Sequence, residues 1–266
     1  MLGNNLDPYS EIRTRRGNAT KAFAGMLRIW SRKRDIGIGT KMILYNSIVK
    51  PNFTYNAPAT VYTQVQVDLL DSLHRRQLRR LLGVHYPAHI SNADVYEQTR
   101  AHPISVDVIT MRWSFLGHVL RQPVSTPANR VMRNYYMRKE TEESEPRDST
   151  RRSRTLTTVP RKLQMELKIL DDATRRSLFA ITVLSTGVDL GILRQRAQNR
   201  ALWKKAVKQL GEAATEAWRV KNQIRHETRV VAAEARVTRG RVAAAAAQLG
   251  PRTRRQTTLF EHQFLT

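Results

Sequence analysis

The stretch 68–97, DLLDSLHRRQLRRLLGVHYPAHISNADVYE, decides how the fold is interpreted, because its first half has two opposed faces. Apolar side chains recur at helical spacing, and Gly83 stands where a left-handed helix C-cap is expected. The pattern therefore predicts an amphipathic helix that ends at Gly83. The residues predicted to face the core are Val67, Leu70, Leu73, Leu78 and Leu81.

The other face of this helix carries Arg75, Arg76, Arg79 and Arg80 within about one and a half turns. Like charges at i,i+4 cost a few tenths of a kcal/mol each in an isolated helix. A sequence that places four arginines together either leaves them in water or sets them against an anionic partner. The sequence alone leaves both alternatives open.

Composition favours an anionic partner for the whole chain. The 266 residues include 46 basic and 22 acidic side chains, a net charge of +24, and a field of that size attracts polyanions. Nucleic acid is the first expectation and a membrane surface the second. No apolar run approaches the ~18 residues of a membrane span, and no secretory signal is recognisable. We therefore predict an intracellular protein, with the nucleus as its compartment.

The helical patterns predict an all-α fold. The first helix is expected to start at Pro8 and to run to Trp30, and Thr40 is expected to cap the second. Ser91 with Asp94 forms a capping-box variant. The predicted organisation is a helical domain at 1–138, a polar linker at 139–158, a helical region at 159–210, a long basic helix at 211–250 and a disordered basic tail at 251–266.

Several blocks of the sequence, taken in order with the stretch quoted above, carry a family resemblance. They are MLGNNLDPYSEIRTRRGNATKAFAGMLRIWSRK, TKMILYNSIVKPNFTYNAP, RWSFLGHVLRQP, RRSRTLTTVPRKLQMEL and NRALWKKAV. Together they cover roughly the first 210 residues, and their order resembles that of the thumb and C-terminal region of non-LTR (LINE-type) retrotransposon reverse transcriptases. The block RRSRTLTTVPRKLQMEL is similar to an arginine-rich element of that family.

The resemblance implies a helical thumb-like bundle that binds template–primer, either RNA or an RNA/DNA duplex. The parent activity is RNA-directed DNA polymerisation, in which carboxylates hold Mg²⁺, one pair of them in a Tyr/Phe-x-Asp-Asp hairpin. That hairpin is absent from this sequence, and Asn56 and Pro58 depart from the family pattern. The chain is therefore expected to bind without catalysing alone and to need no cofactor of its own.

No other motif predicts catalysis or a metal site. Asp171 and Asp172 form an adjacent acidic pair, which we interpret as a helix cap because acids favour helix N-termini. His85 and His89 are separated by Pro87, so they are interpreted as loop residues.

Clusters of basic residues are the remaining functional signal. A single cluster is ordinarily a solvated helix face, but the recurrence of clusters along a chain of this charge predicts phosphate contacts. The predicted nucleic-acid-binding residues are Arg13, Arg15, Arg16, Arg32, Lys33, Arg75, Arg76, Arg79, Arg80, Arg151, Arg152 and Arg154.

Two other interpretations remain open. The segment 212–249 is rich in alanine, arginine, glutamate and valine, with strong helix propensity and a thin apolar stripe. This pattern is compatible with a scaffold protein that self-associates through that helix. A third interpretation is a retroelement remnant that has no cellular role, which nothing in the sequence excludes.

Overall fold

A computed structural model describes residues 8–31, 35–88, 90–144 and 158–248. Every regular element within these ranges is helical, which confirms the all-α prediction. The chain forms two compact units, one that ends at Trp218 and one that begins at Arg219. The segments predicted as a domain at 1–138 and a helical region at 159–210 thus belong to one unit.

Twelve α-helices are described in chain order. They are α1 Pro8–Ala24, α2 Leu27–Ser31, α3 Ile38–Leu44, α4 Lys50–Thr54, α5 Gln64–Leu82, α6 Asn92–Thr99, α7 Ile104–Arg121, α8 Pro127–Ser144, α9 Val159–Leu167, α10 Asp172–Phe179, α11 Gly187–Gln198 and α12 Arg200–Gln248. A π-helical turn, Tyr45–Val49, joins α3 to α4, and a 3₁₀ turn, Ala57–Ala59, follows α4.

The start of the chain differs from the prediction at two places. The first helix ends at Ala24, and a tight turn at Gly25 brings Trp30 back to stack on Phe23 at 5.4 Å between ring centroids. The Trp30 indole also donates to the Phe23 carbonyl at 2.8 Å. The helix that Thr40 is expected to cap is α3, which begins at Ile38 after an extended Gly37, so Thr40 lies inside it and is not its cap.

Helix α5 forms as the sequence predicts. Thr63 and Gln66 make a capping box at its start, and Gly83 at its end has φ 70°, the left-handed conformation that glycine adopts most easily. Ser91 and Asp94 form the predicted capping box of α6. The four leucines of the predicted core face of α5, Leu70, Leu73, Leu78 and Leu81, are all buried.

The first unit contains two hydrophobic cores. Helices α1 to α6 enclose the first core around Phe23, Tyr45 and Phe53, and α8 to α11 enclose the second around Tyr136 and Phe179. Helix α7 serves both cores. Its residues Ile104 and Val108 belong to the first core, and its later residues Trp113, Leu116 and Leu120 to the second.

The first part of α12 runs antiparallel to α7 and joins the same two cores. Trp203 lies over Gly117, and its indole donates to the Trp113 carbonyl at 3.1 Å. Eight residues later, Gly211 faces Thr110, where an added Cβ would lie 2.6 Å from the threonine methyl. Glycine at both positions permits the close approach. The predicted boundary at residue 211 therefore falls inside a continuous helix.

Candidate nucleic-acid interface

Helix α5 presents the predicted arginine cluster to solvent at two of its four positions. Arg76 and Arg80 are exposed, whereas Arg75 and Arg79 are half-buried. The exposed pair is one helical turn apart, about 6 Å along the axis, so both side chains point the same way. These two arginines are the part of the cluster most open to a ligand.

Arg79 has a structural role as well as a charge. Its guanidinium donates to the Asn92 side chain at 2.7 Å and to the Ile90 carbonyl at 3.4 Å. Burial lowers the pKa of Arg79, and neighbouring Arg75 lowers it further. Arg79 thus ties the segment that follows Gly83 to α5.

The other residues predicted to bind nucleic acid are not all exposed. Arg13 is exposed and Arg16 half-buried on α1, but Arg15 is buried. The Arg15 guanidinium donates to the carbonyls of Phe53 and Tyr55 and pairs with Glu11, so it anchors α1 to α4 and is not an exposed cation. Residues Arg32, Lys33, Arg151, Arg152 and Arg154 lie outside the described residues.

Buried polar side chains hold the opposite face of α5 in place. The Asp71 carboxylate accepts hydrogen bonds from the Ser105 backbone N–H at 3.0 Å and hydroxyl at 2.8 Å, which satisfies the first turn of α7. Burial raises the pKa of Asp71 to about 6, although both hydrogen bonds oppose that shift. The sequence pattern predicts only apolar residues on this face, so these polar contacts are a finding of the structure.

A second buried group links α5 to three other segments. His74 Nδ1 lies 2.8 Å from the Tyr45 hydroxyl, and His74 Nε2 lies 3.2 Å from the His102 carbonyl oxygen. The Tyr45 hydroxyl also donates to Gln77 at 2.7 Å, and the Gln77 amide donates to the Ala19 carbonyl at 3.2 Å. Because a carbonyl oxygen only accepts, Nε2 carries the proton and the Tyr45 hydroxyl faces two acceptors.

This network predicts a specific loss of stability in acid. Burial, with a contribution from Lys50, lowers the pKa of His74 to about 3, whereas an unfolded histidine has a pKa near 6.5. Between these values the unfolded state binds the extra proton, so stability falls as the pH falls below about 6.5. His74→Gln should lack this contribution. As the pH falls below about 6.5, the difference in unfolding free energy between the wild type and this variant should therefore shrink by up to about 1.4 kcal/mol per pH unit.

Urea unfolding of both proteins between pH 7.5 and 4.5 measures this difference. The comparison with the variant is needed because Asp71 and Glu166 have raised pKa values and act in the opposite direction. Curves of unfolding free energy against pH that stay parallel for the two proteins would show that His74 does not titrate as described.

Apart from the arginines of α5, a cationic concavity lies beside α8, and it was not predicted from the sequence. Arg130 and Arg133 are exposed there, three residues apart on one helix face. The sequence signal for this site is the pair of arginines in RVMR, which is less conspicuous than the basic clusters named above. The concavity is lined by Val124, Ser125, Arg130, Arg133, Asn134 and Met137.

Another concavity is apolar, and the only ionisable side chain in its lining is a tyrosine. Tyr55, whose side chain is 79% exposed, and Phe115 flank it, and Asn56 turns the chain there with φ 52°. The lining offers no carboxylate, imidazole or ammonium group that could move a proton or hold a phosphate. It consists of Pro51, Thr54, Tyr55, Asn56, Pro58, Ala59, Met111 and Phe115.

The acidic and histidine residues considered in the sequence occupy structural or solvent-exposed positions. Asp171 is the N-cap of α10 and accepts from the Thr174 N–H at 2.9 Å, and Asp172 follows in the first turn, as predicted. His85 is exposed, and His89 lies outside the described residues. The described part of the chain holds no group of three or more potential metal ligands.

Comparison with protein-family models, with curated proteins and with solved structures found no match. The site must therefore be interpreted from its own geometry. Across the described residues, no helix is long and apolar enough to cross a bilayer.

Proposed function

We propose that this chain binds the sugar–phosphate backbone of nucleic acid, and that α5 supplies the central contact. The ligand in this proposal is structured RNA or an RNA/DNA duplex, as expected of the reverse-transcriptase thumb that the sequence resembles. The chain would hold such a polymer and would not join nucleotides by itself.

The observation that carries the proposal is the exposed pair Arg76 and Arg80 on a helix whose other side is fixed. Four leucines, Asp71 and the His74 network anchor α5 in the core, so the two cations project from a rigid support. Arginine donates several hydrogen bonds in a fixed fork that matches phosphate oxygens. Contacts of this kind position a nucleic acid without reading its sequence.

Charge over the whole chain supports the same ligand. A net charge of +24 attracts a polyanion over distances set by the ionic strength. The exposed Arg130 and Arg133 of α8 add a second cationic surface in the same unit. Binding built on such contacts releases counterions and weakens as salt rises.

The double substitution Arg76→Gln and Arg80→Gln tests the contribution of α5. We expect the affinity for an RNA/DNA duplex to fall about tenfold at low salt, equivalent to about 1.4 kcal/mol. The slope of log K against log salt should become shallower by about 1.8, since each lost phosphate contact removes about 0.9. Fluorescence anisotropy at several salt concentrations measures both quantities.

Lys204 and Lys205 provide the matched control. Both side chains are exposed on α12 of the same unit, and changing both to glutamine removes the same total charge. If this control lowers the affinity and the slope as much as the α5 pair does, binding follows net charge alone and α5 has no special part.

Primer extension separates binding from catalysis. The purified chain should incorporate no nucleotide on an annealed template–primer, because its sequence contains no Tyr/Phe-x-Asp-Asp element. Extension of the primer by this chain would contradict the proposal that it only binds.

A further inference from the structure

The second unit presents five cations on one side of its helix. From Arg219 onward α12 is described as a continuous helix to residue 248. At about 100° per residue, the cations fall within an arc of about 80°. All five side chains are exposed. They are Lys221, Arg225, Arg229, Arg236 and Arg239, and we call them the cationic face.

Acidic side chains of this unit lie on the opposite side. Glu227 and Glu234 fall about 160–180° from the centre of the cationic face, given the same angle per residue. Gln223 donates to Glu227 at 2.8 Å along that opposite side. On the cationic face itself the residue between Arg229 and Arg236 is Ala232, whose small side chain lets the helix approach a partner closely.

This arrangement is unfavourable for the isolated helix. Lys221, Arg225 and Arg229 follow one another at i,i+4, where each pair of like charges costs a few tenths of a kcal/mol. A partner that carries a row of negative charges would offset this repulsion. The face extends about 27 Å from Lys221 to Arg239 at 1.5 Å per residue.

From this charge pattern we infer that the cationic face binds the phosphate backbone of a nucleic-acid duplex. A duplex presents one negative charge per about 1.7 Å of its axis, so a straight row of cations meets several phosphates at once. Single strands are instead held by aromatic side chains that stack on bases, and the segment 219–248 has no Phe, Tyr or Trp. The inference shares its ligand class with the proposed function but rests on a different helix.

Exposed valine and isoleucine side chains of the same unit suggest a different partner for this helix, a second copy of this chain. Val220, Ile224 and Val231 form a stripe at helical spacing between the acidic and cationic sides. The stripe is narrow, and the cationic face does not include it. Pairing of two copies of the chain through this stripe would therefore leave the cationic face exposed to solvent. It predicts a different result for the substitutions described next.

Two double substitutions in the full chain separate the alternatives. Arg229→Gln with Arg236→Gln removes two charges from the cationic face, and Arg219→Gln with Arg241→Gln removes two exposed charges from the other side of the helix. Glutamine keeps the helix propensity close to that of arginine. Anisotropy with a 24-base-pair DNA duplex and with one of its strands gives affinity and salt slope for each variant.

We expect the first pair to weaken duplex binding about tenfold and to reduce the slope by about 1.8, as for two lost phosphate contacts. The second pair should have less than half of that effect, and the single strand should respond less than the duplex. Equal effects of the two pairs, or an equal response of the single strand, would overturn the inference. A changed sedimentation coefficient in the first pair with unchanged duplex affinity would identify a self-association surface and also overturn it.

The outcome for α5 is independent of this one. If only the Arg76 and Arg80 variant loses affinity, the proposed function stands and the inference about the second unit fails. If only the Arg229 and Arg236 variant loses affinity, the second unit is the binding element and the assignment to α5 fails.

Discussion

Replacing Gly117 with alanine should lower the free energy of unfolding by about 3 kcal/mol or more, the upper part of the range for overpacked cores. A Cβ at this position would overlap the indole ring of Trp203, which is itself buried between α7 and α12. The ring is held in place, because its N–H donates a hydrogen bond to the Trp113 carbonyl and it packs against the Trp113 ring and, edge to face, against Phe179. The two helices must separate to admit the methyl group.

Gly191→Ala is the matched control for this substitution. Gly191 lies within α11 with no atom near the place where a Cβ would stand. Alanine there should stabilise the protein by about 0.5–1 kcal/mol through its higher helix propensity. Chemical denaturation of both variants measures the contrast. A Gly117→Ala protein as stable as the wild type would mean that α7 and α12 do not approach as closely as described.

Removing Arg112 should destabilise the first unit by about 3–5 kcal/mol above neutral pH, the usual effect of leaving one buried charge without its partner. Arg112 forms a buried ion pair with Glu166 and donates to the Thr60 carbonyl at 3.1 Å. The Trp113 indole donates to the other Glu166 oxygen at 3.1 Å. Burial raises the pKa of Glu166 to about 7 even with Arg112 present.

The pH dependence and a double variant identify the cause. Without Arg112 the pKa of Glu166 should rise further, so Arg112→Met should be least harmful below about pH 7, where folded Glu166 is protonated with or without Arg112. It should be increasingly harmful above pH 7, where Glu166 of the wild type ionises beside Arg112 and that of the variant has no partner charge. Adding Glu166→Gln removes the unpaired charge and should restore a substantial part of the stability. Equal losses in the single and double variants, at every pH, would show that packing and not charge explains the effect.

The parts of the fold that the sequence predicts well are local. The apolar face of α5, its cap at Gly83 and the capping box at Ser91 depend on residues a few positions apart, so their pattern is visible in the sequence. The break after Ala24 was missed because its cause is the return of Trp30 onto Phe23, a contact that competes with a continuing helix.

Features that depend on distant segments could not be predicted. Arg15 belongs to a basic run, but the carbonyl oxygens that bury it come from residues about forty positions later. Asp71 was included in a helix pattern without a role, because its partner Ser105 is brought close only by the packing of α7. The close approach of α7 and α12 at Gly117 and Gly211 could not be predicted either, because the side chains that face these glycines lie on the other helix.

The most direct test of the central claim is the salt dependence of binding by the unmodified chain to an RNA/DNA duplex. If the exposed arginines neutralise at least four phosphates, log K should fall with log salt with a slope of about −3.6 or steeper. Between 50 and 200 mM salt this corresponds to a loss of affinity of about a hundredfold or more. Binding that is undetectable at 50 mM salt, or that does not change over this range, would contradict the proposal that this chain binds a nucleic-acid backbone.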